Sequence, residues 1–412
     1  MHISISEFES CLDDVSFPLA VAISGGVDSL ALLLLTHKVA QQRGQQLIAL
    51  TIDHGLRDQS KSEAIMVHQW VQEKGIEHII LKWEGFKPLS RLQEKAREAR
   101  YQLLLQWCKE NQIPTLLLGH HQQDQEETFW LRLSAGSGLE GLTGMKKRVI
   151  REGIVCLRPL LGFSKERLIA TVKDENQPWI EDPSNQNAQF FRGRFRSFLK
   201  EEGLSPQRLT KTMEKLQIDA DFIQDSLQKV LKDCVQLCEG GYISIKRSVF
   251  QELHPALVQR LISFLMQWYS GRAYPPRSSQ VEIILEKIKL SSPFTAGGIY
   301  WLLQQQEILL LREISAVKDK ILLSNLQSSR LWDHRFWVDA QIQKNVPPET
   351  VLAPLGTIPS LKKKISSSIP SQVWPTLPAL WIKGKIVSIP QFCYNVENKI
   401  EYGNFFCLKP LF

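Results

Sequence analysis

The stretch that decides the fold is PLAVAISGGVDSLALLLL, residues 18–35. An apolar run, PLAVAIS, leads into the turn SGGVDS at Ser24–Ser29, and a longer apolar segment with the length of a helix follows. A Gly–Gly turn lets backbone N–H groups converge without side-chain obstruction. A helix that begins there directs its positive N-terminal end at the same point. The pattern therefore predicts a strand, an anion-binding turn and a helix.

Short apolar runs alternate with helix-like segments through the first half of the chain. Three more strands are predicted at QLIALTID, EHIILKW and PTLLLGHH, which begin at Gln46, Glu77 and Pro114, and a helix is predicted from Asp124 to Gly136. Short, fully apolar strands between helices are typical of a parallel sheet covered on both faces. We expect a doubly wound, mainly parallel α/β domain over residues 1–205, with ligands beyond the carboxyl ends of its strands.

After Gly144 this alternation breaks. Residues 149–161 have the pattern of a hairpin, and helices are predicted at Gln207–Asp233 and Val249–Ser270. Beyond residue 312, short strands alternate with proline-rich turns. We expect a mostly helical middle domain over 206–312 and a small mixed or β-rich C-terminal domain over 313–412.

Composition excludes several classes of protein. The 412 residues, 43% of them hydrophobic and 23% charged, indicate an ordinary globular chain of two or three domains. The longest purely apolar stretch, Leu30–Leu35, is far shorter than the roughly 20 residues of a membrane-spanning helix, so no membrane partner is expected. Seven scattered cysteines without a CxxC pair argue against a zinc ribbon or a disulfide framework and favour a cytosolic protein with free thiols.

The positive charge of the chain is concentrated. The formal net charge is +7, and residues 146–211 hold 14 Lys or Arg against 8 Asp or Glu. This distribution favours a polyanionic partner. The segment contains Arg192, Arg194 and Arg196, and Lys146 extends the same basic patch. We expect these side chains to contact phosphates; a solvated charged face is the alternative.

Six residues of the turn are expected to bind a phosphate or pyrophosphate, namely Ser24, Gly25, Gly26, Val27, Asp28 and Ser29. A carboxylate in an anion site repels its ligand, so Asp28 makes sense there if Mg²⁺ bridges it to the phosphates. The alternative is a glycine turn with an N-capping aspartate.

Other polar residues follow the second and fourth strands. Asp53 and His120 are expected beside the nucleotide. Asp124 is most simply explained as a helix N-cap, but together with Asp28 it could hold Mg²⁺, or it could accept a proton from an incoming ammonium group. Glu127 lies one turn after Asp124 and faces either the site or solvent.

The turn SGGVDS resembles the signature of the N-type ATP pyrophosphatases, which cleave ATP between its α and β phosphates. GHHQQDQEET (Gly119–Thr128), RPLLGFSKERL (Arg158–Leu168), WIEDPSN (Trp179–Asn185) and FRGRFR (Phe191–Arg196) follow in order. Together these motifs resemble the tRNA(Ile)-lysidine synthases over about residues 17–200. Residues 374–390 are similar to a segment of that family's C-terminal domain.

The resemblance implies a two-step reaction on the AUA-decoding isoleucine tRNA, whose anticodon is CAU. ATP would adenylate the wobble-position cytidine, and free L-lysine would then displace AMP to give lysidine. Asp28, Arg97 and Asp124 would be catalytic, with Arg97 stabilising the leaving pyrophosphate. The family usually has acids at both 123 and 124, whereas this chain has Gln123.

Two other functions stay open at this point. A tRNA-thiolating enzyme would use the same turn, but such enzymes generally need reactive cysteines, and neither Cys108 nor Cys156 is well placed in the predicted elements. A non-catalytic tRNA-binding relative would be expected to have a degraded turn, and here the turn is intact. A homodimer is an open alternative for the assembly.

Overall fold

The computed structural model describes residues 1–12, 15–55, 60–84, 92–181, 206–272, 275–358, 369–392, 394–395 and 406–409. Its contacts divide the chain into two compact units, Met1–Ala220 and Asp221–Phe412. The division into three domains at 1–205, 206–312 and 313–412 stays a prediction. None of the described helices is both long and apolar enough to cross a membrane.

The first unit contains a six-stranded sheet in the order β3-β2-β1-β4-β6-β5. Neighbouring strands are parallel except for β5, which pairs with β6 as the predicted hairpin. The strands are Leu19–Ala22 (β1), Leu47–Asp53 (β2), Glu77–Lys82 (β3), Thr115–Leu117 (β4), Arg148–Arg151 (β5) and Ile154–Leu157 (β6). The mainly parallel sheet is therefore confirmed.

Helices cover both faces of this sheet. They are Ile5–Glu9 (α1), Val27–Arg43 (α2), Ser60–Gln72 (α3), Leu92–Glu110 (α4), Gln122–Ser134 (α5), Leu139–Leu142 (α6) and Lys165–Asp174 (α7). Leu19 and Val21 of β1 point into a core that includes α2 and α7, whereas Ala20 points into a second core that includes α4. This alternation along one strand is what makes the domain doubly wound.

The helix Pro206–Cys234 (α8) continues from the first unit into the second. The second unit begins with an antiparallel sheet of five strands, listed in sheet order as Val235–Leu237 (β7), Ile243–Lys246 (β8), Glu307–Arg312 (β11), Ile299–Leu303 (β10) and Phe294–Ala296 (β9). Its helices are Val249–Glu252 (α9), Pro255–Ser270 (α10) and Ser278–Lys289 (α11). The single helix predicted over 249–270 is therefore wrong, because Pro255 starts a new helix that His254 caps.

The last part of the chain is β-rich, as predicted. One antiparallel sheet contains Ile321–Leu322 (β12), Val351–Pro354 (β15), Pro378–Ile382 (β16), Lys385–Ile389 (β17) and Tyr394–Asn395 (β18). A second contains Arg330–Trp332 (β13), Phe336–Val338 (β14) and Phe406–Leu408 (β19). Asp333, buried at the β13–β14 turn, is ion-paired with both Arg312 and Arg335.

Candidate active site

The predicted anion-binding turn lies between β1 and α2. Gly25 has φ +82°, in the left-handed region that favours glycine, and Gly26 is the N-cap of α2 without a side-chain cap. The Ser29 hydroxyl fastens the turn, because it accepts the Ser24 N–H at 3.1 Å and donates to the Gly26 carbonyl at 2.9 Å. The turn is thus fixed by its own residues, and the first N–H groups of α2 are available to an external acceptor.

The segment at 179–181 supports this turn from outside. The Ile180 N–H donates to the Gly25 carbonyl at 2.9 Å. A methyl group added at Gly25 would lie 2.7 Å from both Ile180 Cδ1 and Val67 Cγ2. The second residue of the motif WIEDPSN therefore packs on the turn, and Gly25 is required for close approach as well as for its φ angle.

A second glycine brings the end of β4 against α2. A Cβ atom at Gly119 would lie 3.2 Å from the Ser29 Cα and 3.3 Å from the Ser29 nitrogen. Backbone atoms cannot move aside as a flexible side chain can, so only glycine allows this approach. The residues that follow, His120 and His121, are thereby carried to the first turn of α2.

His121 joins the two carboxylates that the sequence analysis singled out. It is 6% exposed, and its Nε2 lies 3.5 Å from Asp28 Oδ1 and 3.9 Å from Asp124 Oδ2. Its Nδ1 accepts the Gln123 N–H at 3.1 Å, so the ring proton is on Nε2, facing the carboxylates. Asp28 and Asp124, from different parts of the chain, therefore both lie near the same imidazole nitrogen.

The N-cap interpretation of Asp124 needs correction. Helix α5 begins at Gln122, its N-cap is His121, and Asp124 is at the third helical position. Asp124 Oδ2 accepts the His121 N–H at 3.0 Å, as the acid of a capping box does. The helix starts two residues earlier than predicted because the His121 side chain can itself accept a backbone N–H.

The sequence analysis missed Lys165. This residue begins α7, and its Nζ lies 2.7 Å from both Oδ1 and Oδ2 of Asp28. The N–H of Lys165 donates to Gln123 Oε1 at 3.0 Å, so Gln123 caps the helix from which this lysine extends. A signal was present in RPLLGFSKERL, since a lysine in the first turn of a helix opposes the helix dipole and invites a functional explanation.

His120 lies in a positively charged environment. Burial lowers its pKa to about 4; the charges of Arg158, Arg97 and Arg100 act in the same direction, and that of Asp124 acts in the opposite one. Its buried Nδ1 has no hydrogen-bond partner among the described residues. His120 is therefore neutral at physiological pH and can hydrogen-bond to a ligand.

The other predicted residues are distributed around this edge. Asp53 ends β2, and its Oδ1 accepts the Gly55 N–H at 3.0 Å. Glu127 is half-buried on α5, while Lys146 and Arg97 are exposed. Arg192, Arg194 and Arg196 lie outside the described residues. The contacts bring together Asp28, His121, Asp124 and Lys165.

Asp28 and Asp124 are the residues of the candidate site that could hold a magnesium ion. Within the described part of the chain, no three His, Cys, Asp or Glu side chains are grouped to hold a metal on their own. Mg²⁺ is usually held by one or two carboxylates together with water and substrate phosphates. Because Asp28 and Asp124 lie near the same imidazole nitrogen, they fit a magnesium ion that binds together with a nucleotide.

The two cysteines of the first unit's sheet region are unsuited to sulfur transfer. Cys108 and Cys156 are fully buried. Burial raises the pKa of Cys108 to about 12 and also raises that of Cys156. Thiols of this kind are inert, because the thiolate is the reactive form.

Comparisons with known proteins agree with this geometry. A family model described as the PP-loop domain matches residues 3–202. A tRNA(Ile)-lysidine synthase of Wolbachia pipientis wMel is 33% identical over 92% of this chain and 90% of its own length. Enzymes with the same name are 31% identical in Wolbachia sp. subsp. Brugia malayi (95% of this chain, 94% of the relative) and 33% identical in Ruegeria pomeroyi (78% and 76%).

Proposed function

The chain belongs to the tRNA(Ile)-lysidine synthase family, and on that premise we propose that it joins L-lysine to the wobble-position cytidine of an isoleucine tRNA with the anticodon CAU. The observation that carries the proposal is the contact of His121 with Asp28 and Asp124. Through this contact, Asp28 of the anion-binding turn and Asp124 of α5 lie at the same edge of the sheet. Nucleotide activation and proton transfer can therefore share one site.

In the first step, the 2-oxo oxygen of cytidine attacks the α-phosphorus of ATP. A new O–P bond forms, the bond between the α-phosphorus and the bridging oxygen breaks, and pyrophosphate leaves. The N–H groups of the Gly25–Gly26 turn and the N-terminus of α2 bind the phosphates, while Asp53 and His120 contact the nucleotide. Lys165 and Arg97 stabilise the negative charge that develops on the pyrophosphate.

In the second step, the side-chain amine of lysine attacks C2 of the adenylated cytidine. The C–N bond forms, the C–O bond breaks, and AMP leaves with the former 2-oxo oxygen. Lysine arrives as an ammonium ion, so its nitrogen must lose a proton before it can attack. Asp124 accepts that proton, and holding amine and base at one strand end supplies the orientation that such a step needs.

Asp28 and Asp124 would hold Mg²⁺ at this site. When bound, the ion supplies positive charge to the phosphates. Lys165 holds the carboxylate of Asp28 in position.

Contacts to the tRNA are proposed for the basic segment and for the rest of the chain. Lys146, Arg192, Arg194 and Arg196 contact backbone phosphates, and Glu127 contacts a substrate near the site. The domains proposed at 206–312 and 313–412 bind other parts of the tRNA, because phosphate contacts alone do not select one tRNA.

The test is to incubate the pure protein with radiolabelled lysine, ATP, Mg²⁺ and unmodified isoleucine tRNA. Label should enter this tRNA and not a variant with uridine at the wobble position. ATP and tRNA without lysine should release pyrophosphate. Pyrophosphate exchange that depends on lysine but not on tRNA would contradict the mechanism. The mass in solution, 47.2 kDa for a monomer, decides whether the protein is a homodimer.

A further inference from the structure

Three arginines surround the ring of Tyr101 on the α4 side of the first unit's sheet. The Cζ atoms of Arg97, Arg100 and Arg151 lie 5.6, 5.8 and 4.6 Å from the ring centroid. Arg97 and Arg100 come from α4, and Arg151 comes from the edge strand β5. We call these four residues the Tyr101 arginine cluster.

Within the described part of the chain, the charges of this cluster have no acidic partner. All three arginines are exposed, and within the described ranges none of them forms an ion pair. Two other arginines of the same unit also lie over aromatic rings, but Arg43 is paired with Glu9, and Arg167 with Glu7. Like charges held around one ring repel each other, and a bound anion would relieve that repulsion.

The tyrosine positions the arginines and does not offer a stacking surface. Tyr101 is 7% exposed and packs in the core against the sheet. Its buried hydroxyl, like Nε of the buried Arg158 and Nδ1 of His120, has no hydrogen-bond partner among the described residues. Buried polar groups without partners are rare and are frequently found at functional sites. Three of them lie in one positively charged region, which therefore has the character of a ligand site.

This region is separate from the Gly25–Gly26 turn. Arg151 pairs with Ile154 across β5 and β6, and β5 is three strands away from β1. At about 4.8 Å per strand, the two strands are roughly 14 Å apart. A phosphate held by Arg100 and Arg151 is therefore not the phosphate that the turn binds, and Arg97 remains assigned to the pyrophosphate. The charges of Arg97 and Arg100 nevertheless act on His120, so the cluster extends toward the strand-end site.

We propose that Arg100 and Arg151 of the Tyr101 arginine cluster form a second phosphate-binding site, which holds a backbone phosphodiester of the tRNA. Guanidinium groups suit this role because they bind phosphate oxygens in a fork and remain charged. The proposal rests on the proposed function for the identity of the RNA. The other source of phosphate oxygens is ATP, and the experiment separates the two.

The test compares the full-length wild type with the double variant Arg100→Ala/Arg151→Ala, which spares Arg97. The affinity for isoleucine tRNA is measured over a range of salt concentrations, and the KM for ATP is measured in parallel. Loss of two phosphate contacts should lower the slope of log K against log salt by roughly 1.4 to 1.8. The KM for ATP should stay within about twofold of the wild type, because the Gly25–Gly26 turn is intact.

Two control variants accompany the double variant. Arg43→Ala removes the same charge and the same ring contact, but from an arginine that is already paired, so its slope should equal that of the wild type. The double variant Arg100→Lys/Arg151→Lys keeps both charges and should keep most of the slope. That result would exclude misfolding as the cause of the lower slope in the double alanine variant.

An unchanged slope in the double variant would overturn the proposal. So would a higher KM for ATP with unchanged tRNA binding, which would make the cluster a nucleotide site. Lysine incorporation is measured on the same wild-type preparation. A lack of lysine incorporation would contradict the proposed function. The slopes of log K against log salt would still decide whether the cluster binds tRNA phosphates.

Discussion

The ammonium nitrogen of Lys165 lies 2.7 Å from each carboxylate oxygen of Asp28. Both residues lie in the first turn of a helix, Asp28 in α2 and Lys165 in α7. The positive end of a helix dipole favours a carboxylate and disfavours an ammonium group. Lys165 therefore gains nothing from its own helix, and the carboxylate of Asp28 offsets the unfavourable dipole.

Lys165→Met should slow pyrophosphate release in the presence of ATP and tRNA by about 100-fold, the usual effect of removing one electrostatic stabiliser. Lys165→Arg should recover part of the rate. The matched control is Lys38→Met, which breaks the ion pair of Lys38 with Glu175 at the other end of the same two helices. Equal losses in both variants would show that only helix packing is affected.

Asp28→Asn should lower AMP formation at least about 100-fold, because the turn loses the charge that holds Lys165 and would hold Mg²⁺. Binding of tRNA should persist, since the basic residues are unchanged. Turnover and tRNA affinity measured on one preparation check both parts. Unchanged turnover would remove the turn from the catalytic mechanism.

Gly119→Ala should reduce turnover more than it reduces stability. The added methyl group would meet backbone atoms of Ser29 at 3.2 and 3.3 Å, so the end of β4 and the first turn of α2 must separate. A misplacement of about 1 Å can cost about 100-fold in rate, so this smaller shift should cost roughly tenfold. Gly162→Ala is the control, because nothing lies within 4 Å of its added Cβ. Steady-state kinetics and thermal unfolding are measured on both variants. An equal effect in the two variants would contradict this role of Gly119.

Acid should destabilise the fold through His78. His78 Nδ1 lies 2.9 Å from His68 Nδ1, and its Nε2 lies 2.8 Å from Thr51 Oγ1. Burial, with a smaller effect of His68, lowers the pKa of His78 from 6.5 to about 4. Below pH 6.5 the unfolded chain binds a proton that the folded chain resists, so stability present at neutral pH is lost as the pH falls toward 4.

The loss that His78 causes between pH 7 and pH 5 should be roughly 2 kcal/mol in the free energy of unfolding. The variant His78→Gln has no titrating group at this position. Its free energy of unfolding should therefore fall less between pH 7 and pH 5, by about that amount. The exposed His2→Gln is the control and should behave as the wild type. Urea titrations at the two pH values measure the difference. A variant with the same pH dependence as the wild type would exclude His78 as its source.

Much of the fold was predictable because its signals are local. An apolar strand, two glycines and a helix are adjacent between Pro18 and Leu35, and each constrains only its neighbours. The hairpin at residues 148–157 was predictable for the same reason, and the structure confirms it. Prediction was less reliable where two residues could cap the same helix. Asp124 was expected to be the N-cap of α5, but His121 has that position.

From the residues alone, the turn at Ser24–Ser29 was predicted to bind an anion, with Asp28 and Asp124 facing the same phosphates. Two contacts could be seen only in the folded chain: Lys165 contacts Asp28 across 137 positions, and His121 rather than His120 lies near both acids. The strand order, with β4 beside β1, and the approach that Gly119 allows decide both contacts. Residue spacing cannot contain this information, because pairing between distant strands depends on how the whole sheet packs.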